Sequence, residues 1–140
     1  MIVTRLELIS GSRVKVSLDE DFAFVLYKGE VRLYQIREGE EIPQTTWDEI
    51  REKVLKKRAR LRCMNLLKDR DYTANQLSLK LLRGGYPNEI AEDALEYVKS
   101  YGYVDDGRYA RSYISNQREK KSRRRIEEDL RSRGIESEVI

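Results

Sequence analysis

The chain has 140 residues, of which 38% are charged and 39% hydrophobic, with 8 Gly, 2 Pro and a formal net charge of +3. A chain of this length buries roughly two-thirds of its unfolded surface, and this composition is typical of amphipathic helices rather than of a β-sandwich or a disordered tail. The single cysteine excludes an internal disulfide, and the absence of histidine removes the commonest general base and the commonest metal ligand.

The first 42 residues predict a small β-rich module. Residues 2–9 have the apolar density of a strand, and residues 22–27 form another β-prone run. Between them, Val14, Val16 and Leu18 alternate with polar residues, which is typical of a half-exposed strand. The apolar residues in 31–36 fit the period of a strand as well as that of a helix, and we expect a short helix there that ends before Gly39.

Residues 43–105 predict a first three-helix repeat that opens with one long helix. Thr46 and Glu49 have the spacing of a capping box, and apolar residues then recur at helical spacing to about Lys68. The side chains that we expect to face inward are Trp47, Ile50, Val54, Leu55, Ala59, Leu61, Met64, Leu66 and Leu67.

Two shorter helices complete this repeat. Thr73 and Gln76 again have capping-box spacing, and the glycines at 84–85 are expected to end the helix that follows. A third helix is predicted to start at Pro87 and to end at Gly102. Its expected inward residues are Ile90, Ala94, Leu95 and Val98.

Residues 106–140 predict a second repeat that is incomplete. Asp105 or Asp106 is expected to cap a fourth helix, and Ser122 a fifth that ends at Gly134. Only three residues follow Ser137, fewer than a helix needs. A shift of 49 residues brings similar residues of the two units together: Met64 and Tyr113, Thr73 and Ser122, Leu77 and Ile126, Leu81 and Leu130, Gly85 and Gly134, Asn88 and Ser137. Tandem units that cover each other's apolar faces explain this match.

Basic residues concentrate in two blocks with an acidic block between them. Residues 51–83 carry a net charge of +8 and residues 108–133 carry +6, whereas residues 84–107 carry −5. Clustered arginine and lysine neutralise phosphates and release counterions, so both blocks are candidates for partner or DNA binding. The first cluster is Lys56, Lys57, Arg58, Arg60 and Arg62, and the second is Arg118, Lys120, Lys121, Arg123, Arg124 and Arg125.

The two clusters differ in how strongly they indicate a function. For the first, a solvated helix face is an equally good interpretation. The second is denser and lies at a helix junction, which favours binding of a polyanion. Neither cluster carries groups that distinguish bases, so nucleic-acid binding is predicted to be independent of sequence.

Three other features have a structural and a functional interpretation. Tyrosines at positions 97, 101, 103, 109 and 113 are either core or stacking platforms, and the spacing of four favours core. Asp105 and Asp106 are better explained as a helix cap than as metal ligands, because no third ligand lies nearby. Cys63 has no histidine partner, which favours a buried structural thiol over a nucleophile.

These observations leave the chain without residues for catalysis. No phosphate-cradling glycine motif is present, and we expect no cofactor, no metal and no small-molecule substrate. The opening residues lack the apolar core of a signal peptide, and no apolar run is long enough to span a bilayer. The sequence therefore predicts a cytoplasmic protein that does not bind a membrane and is not an enzyme.

Residues 102–110, GYVDDGRYA, together with Tyr113 and Arg118 resemble the GYLDD-xx-[FY]A signature of the RecX family. Residues 70–85 are similar to the family's R-x-x-S-x-x-E-L-x-x-K-L-x-x-x-G element, and residues 125–135 to its R-I-x-x-E-L-x-x-K-G-I element. Residues 1–39 are similar to the amino-terminal segment of many members. The chain departs from the family at Val104 for Leu, at Ser122 for Gly, and at Gln76 and Asp129 for Glu, and members generally continue through a third unit.

The resemblance implies a regulator of the RecA recombinase in DNA repair and the SOS response. Members of the family bind the RecA filament on single-stranded DNA, lodge in its groove, and restrain ATPase activity and strand exchange. One alternative is a stand-alone nucleic-acid-binding helical module that contacts the phosphates of single-stranded or duplex DNA through the same basic clusters. Another is a helical adaptor with neither property.

Overall fold

The computed structural model describes residues 1–19 and 21–140, and the chain begins with a three-stranded antiparallel sheet. The strands, in the order in which they pair, are β1 (Val3–Ser10), β2 (Arg13–Leu18) and β3 (Phe22–Tyr27). Val14, Val16 and Leu18 of the central strand are buried, because the period of two sends alternate side chains to one face. A short helix, α1 (Lys28–Leu33), follows the sheet. It confirms a helix in this region, but it begins three residues before the predicted range 31–36 and residues 34–36 are not helical.

The long helix of the first repeat has three parts that run on without a break. Its parts are α2 (Gln44–Glu49), a π-helical segment (Ile50–Leu55) and α3 (Lys56–Asp69), and the backbone stays helical at both junctions. The prediction that Thr46 caps this helix is wrong. Pro43 is the N-cap instead, and the backbone N–H of Trp47 donates to the Pro43 carbonyl at 3.1 Å.

The π-helical segment changes which face of the long helix is buried. Ile50 and Leu55 are both buried although they are five residues apart, because a π turn brings residues at that spacing into line. The buried face then continues through Ala59 and Cys63. Leu61, which was predicted to face inward, is 59% exposed, since the regular helical period does not hold across the π turn.

Four further helices follow, and their bounds confirm most of the predicted caps. They are α4 (Ala74–Arg83), α5 (Asn88–Ser100), α6 (Asp106–Gln117) and α7 (Arg123–Ser132). Thr73, Asp105 and Ser122 each accept a backbone hydrogen bond as the N-cap of the helix that follows. None of the helices in residues 1–19 and 21–140 combines the length and the apolar character that crossing a membrane requires.

The buried apolar residues form two separate cores. One core runs from Val3 to Val104, so the sheet and the first three-helix repeat pack as one body. Trp47 joins them, because its ring lies 5.1 Å from that of Phe24 in the sheet. The other core is small, and its buried residues are Ala110, Ile126, Leu130 and Ile135.

The second repeat docks on the first through the beginning of α4. The Thr73 hydroxyl donates to the Arg133 carbonyl at 2.7 Å, and the Ala74 N–H donates to the Asp106 carboxylate at 3.0 Å. Asp106 therefore satisfies one of the free N–H groups that open a helix of the neighbouring unit. Thr73 is fully buried at this joint.

Equivalent glycines lie at the joints of both repeats. Gly85 and Gly134, which are related by the repeat, follow α4 and α7 with φ of +91° and +84°. A Cβ added to Gly85 would lie 2.5 Å from a methyl carbon of Val25 in the sheet. A Cβ added to Gly134 would overlap the Cβ of Asn75 in α4. Each unit therefore contacts the preceding one through a position where only glycine fits.

We expect Thr73→Ala to destabilise the joint between the repeats. The substitution removes both the N-cap of α4 and the hydrogen bond to the Arg133 carbonyl, at a cost of about 2 kcal/mol in the free energy of unfolding. Thr73→Ser retains both bonds and is the matched control. Urea denaturation of the two variants measures the difference, and equal midpoints would contradict the role assigned to the hydroxyl.

Candidate partner and nucleic-acid interface

Two residues of the first basic cluster, Arg58 and Arg60, hold the fold together. Arg58 contacts Glu30 at 2.6 Å, and its guanidinium lies 4.7 Å from the centre of the Tyr27 ring. Arg60 makes two hydrogen bonds of 2.9 and 3.0 Å to Asp93 of α5. Both arginines thus tie α3 to other elements of the first core.

The remaining members of the first cluster differ in exposure. Lys56 is half-buried and contacts Glu52 one turn earlier at 2.8 Å. Lys57 and Arg62 are exposed, and neither forms an ion pair within residues 1–19 and 21–140. Of the five predicted residues, Lys57 and Arg62 are therefore the ones available to a partner.

The second basic cluster presents most of its charge to solvent. Arg123 and Arg124 at the start of α7 are 94% and 91% exposed, and Arg125 is 64% exposed. Each reaches the carboxylate four residues further on, at 3.1 to 3.5 Å. Arg118 and Lys120, in the segment before α7, are exposed and form no ion pair in the described part of the chain.

Lys121 is the exception in this cluster, because it is part of a polar network. Its ammonium group donates to the Asp129 carboxylate at 2.8 Å and to the Tyr113 hydroxyl at 2.9 Å. The Tyr113 hydroxyl donates to the same carboxylate at 2.6 Å. The hydrogen bond from Lys121 and then the one from Tyr113 hold the pKa of Asp129 well below its usual range, and the bond to Asp129 raises the pKa of Lys121. This network joins α6 to α7, and the other oxygen of the Asp129 carboxylate accepts a hydrogen bond from Arg125 at 3.1 Å.

We expect the second repeat to lose stability in acid because of Asp129. A carboxylate whose pKa is lower in the folded state stabilises the fold above its unfolded pKa of about 3.9, and that stabilisation is lost as the pH falls through the folded pKa. Asp129→Asn should therefore lower the melting temperature at neutral pH and remove part of the acid dependence. Melting followed by circular dichroism from neutral to acidic pH measures this. Glu128→Gln, which changes an exposed neighbour, should leave the profile unchanged.

The arginine row of α7 is specific to the second repeat. The repeat relates Arg123, Arg124 and Arg125 to residues 74–76 of α4, which are Ala, Asn and Gln. The apolar positions of the two helices agree, since Leu77 and Ile126 are both buried. Packing therefore does not account for the three arginines, which lie on the outer side of a helix whose inner side follows the shared pattern.

Tyr97 is partly buried against the first core, and the other four tyrosines divide into two groups. Tyr109 and Tyr113 pack against the second core, and Arg133 donates to the Tyr109 hydroxyl at 2.7 Å. Tyr101 and Tyr103 are 60% and 45% exposed, so the prediction that they belong to the core is wrong. They follow the last turn of α5, where the regular spacing of four no longer directs a side chain inward.

The residues considered for chemistry have structural roles. Cys63 is fully buried, and burial raises the pKa of its thiol to about 11. Asp105 caps α6, and the hydrogen bond from the Arg108 N–H lowers the pKa of its carboxyl. In residues 1–19 and 21–140, no three His, Cys, Asp or Glu side chains lie together as a metal site.

Comparison with known proteins places the two helical units in one family. The family model described as RecX, first three-helix domain, matches residues 59–97, and the model described as RecX, second three-helix domain, matches residues 105–140. Regulatory protein RecX of Caldanaerobacter subterraneus subsp. tengcongensis is 30% identical over 142 residues, which cover 100% of this chain and 72% of that protein. The chain belongs to the RecX family.

Other RecX proteins match over different lengths. Regulatory protein RecX of Mycobacterium leprae is 37% identical over 84 residues, and the chain spans 49% of its length. A crystal structure of regulatory protein RecX matches with a TM-score of 0.62 at 22% identity, covering 99% of this chain and 70% of that one. These relatives are named regulatory proteins, and roles in DNA repair and recombination fit the family.

In this RecX chain, the GYVDD segment builds the boundary between the two repeats. Gly102 lies just after the end of α5 and has a φ of +71°. Val104 is buried in the first core, and Asp105 caps α6. Asp106 reaches back to the Ala74 N–H of α4. The contact of Asp106 was missed at the sequence level, because residues 74 and 106 are neighbours only in the folded chain.

Proposed function

We propose that this chain regulates the RecA recombinase by binding the RecA filament on single-stranded DNA and restraining its ATPase activity and strand exchange. Its membership of the RecX family supports the choice of partner. The observation that carries the proposal is the arginine row of α7, in which Arg123 and Arg124 are almost fully exposed. A RecA–DNA filament offers phosphates to such a row.

The ion pairs within α7 do not prevent the arginines from binding a phosphate. Exposed pairs four residues apart stabilise a helix by only about 0.3–0.5 kcal/mol. Arginine donates two parallel hydrogen bonds to a phosphate, and charge-assisted bonds of this kind are stronger than neutral ones. When an arginine leaves its ion pair with Glu127 or Glu128 and binds a phosphate, the free energy lost is therefore smaller than the free energy gained.

A stand-alone nucleic-acid-binding module is the second candidate. The exposed cations Arg118 and Lys120 favour it, because neither forms an ion pair in the described residues. Such a module would bind DNA by itself, with an affinity that falls steeply as salt is added. It would have no effect on RecA beyond competition for the strand.

ATP hydrolysis by RecA on single-stranded DNA tests the proposal. We expect the chain to slow hydrolysis when it is present at or below the concentration of RecA, with the DNA in excess over both. Competition for the strand predicts no inhibition under these conditions, because free DNA remains available. Unchanged hydrolysis would exclude the regulatory role and leave the nucleic-acid-binding module.

A further inference from the structure

We propose that Tyr101 and Tyr103 form a stacking platform for the bases of single-stranded DNA. The proposal rests on the function proposed above, and it adds a contact to bases that the arginine row does not supply. The two rings lie 5.6 Å apart, with only 16° between their planes, and they are 60% and 45% exposed. A parallel pair of exposed rings presents the kind of flat aromatic surface on which a base stacks.

The rings are held in place by their neighbours. Tyr97 packs edge-on against Tyr101 at 5.1 Å, and the guanidinium of Arg60 lies 4.6 Å from the centre of the Tyr97 ring. Arg108 donates to the carbonyls of Gly102 and Tyr103, which fixes the backbone between the two tyrosines. Because the two rings are already held in place, the binding of a base costs little conformational entropy.

A groove beside the platform combines the apolar and basic side chains that suit the binding of a nucleotide. Tyr103 lines a groove of about 420 Å³ together with Met64 and Leu67, and the basic residues Lys68 and Arg108 lie in its wall. Both are exposed, and neither forms an ion pair in the described residues. Their charges complement a phosphate, while the apolar side chains and the rings suit a base.

The geometry favours single-stranded over duplex DNA. In a duplex each base is already stacked between its neighbours and has no free face for a tyrosine. In a single strand every base offers a face, so the platform is expected to accept any base. Lys68 and Arg108 would contact the backbone of the strand, which is the same in every sequence.

The test uses the full chain and a fluorescent oligothymidine strand, in the absence of RecA. Tyr101→Leu combined with Tyr103→Leu keeps the groove apolar but removes the aromatic faces. We expect this variant to bind roughly fivefold to a hundredfold more weakly in fluorescence anisotropy. The matched control, Tyr101→Phe with Tyr103→Phe, keeps the rings and should bind like the unsubstituted chain.

An abasic strand of equal length separates stacking from phosphate contact. The unsubstituted chain should bind the abasic strand more weakly than oligothymidine, whereas the leucine variant should bind the two alike. Wild-type affinity of the leucine variant for oligothymidine would overturn the proposal. An equal loss on both strands would also overturn it, because the tyrosines would then not be contacting bases.

The RecA ATPase assay distinguishes this proposal from the regulatory function. If the leucine variant binds DNA normally, the platform is overturned; a loss of RecA inhibition in that variant would then assign the groove to a protein surface. If the unsubstituted chain leaves RecA unaffected but the leucine variant loses base-dependent binding, the platform stands and the regulatory function fails. Circular dichroism spectra should be the same for all variants, since the substituted side chains are exposed.

Discussion

Arg123→Glu combined with Arg124→Glu is expected to abolish most of the inhibition of RecA and to weaken DNA binding at least about tenfold. Both side chains point into solvent at the start of α7, so the reversal changes the surface and leaves the core intact. Each lost phosphate contact on a single strand should also reduce the slope of log affinity against log salt by about 0.7. RecA ATPase assays and anisotropy titrations at several salt concentrations measure these effects.

A control at the other end of the chain separates the arginine row from overall charge. Arg5 and Arg37 are 67% and 74% exposed, and each is close to a glutamate, as Arg123 and Arg124 are. Arg5→Glu with Arg37→Glu makes the same change in net charge on the amino-terminal part of the chain. If the two double variants lose inhibition of RecA and affinity for DNA to the same extent, the arginine row has no special role. If neither variant loses inhibition or affinity, Arg123 and Arg124 are not part of the interface.

Gly134→Ala is expected to be the most destabilising small substitution at the joint between the repeats. Gly134 has a φ of +84°, and an added Cβ would overlap the Cβ of Asn75 in α4. Backbone strain alone costs roughly 1–2 kcal/mol, and the overlap adds to it unless the two units separate. We expect a total loss of about 3 kcal/mol in the free energy of unfolding, measured by urea denaturation.

Two variants isolate the clash from the strain. Gly102 also has a positive φ, of +71°, but no atom lies within 4 Å of an added Cβ, so Gly102→Ala should cost only the strain. Asn75→Gly removes the Cβ that Gly134→Ala would meet, and combining the two should recover stability relative to Gly134→Ala alone. Equal losses for Gly102→Ala and Gly134→Ala would show that the joint does not depend on this close contact.

The parts of the fold that depend on local chemistry could be predicted from the sequence. Thr73, Asp105 and Ser122 were recognised as caps, because a cap bonds to a backbone N–H three residues away and needs no distant partner. The repeat was visible for the same reason, since α4 and α7 have the same caps, inward residues and terminal glycines. The π-helical segment was not predicted, because the apolar residues around it also fit a regular helix.

The candidate site was harder to predict, because it depends on partners that are distant in sequence. Arg58 and Arg60 looked like free cations, but their carboxylate partners lie 28 and 33 residues away. Arg123 and Arg124 have partners only one turn away, so their exposure agreed with the sequence pattern. The binding role of the second cluster stays a prediction that the charge-reversal experiment tests.

The small size of the second core has a consequence for the dynamics of the molecule. With Ala110, Ile126, Leu130 and Ile135 as its buried apolar residues, this unit gains far less from burial than the sheet and first repeat, which share the larger core. Sub-global opening should therefore start here, with α6 and α7 exchanging their amide hydrogens sooner than α3 or α5. A ligand bound to the arginines of α7 would slow that exchange in proportion to its affinity. Binding to the closed form shifts the equilibrium between the closed and the open form of the second repeat by mass action.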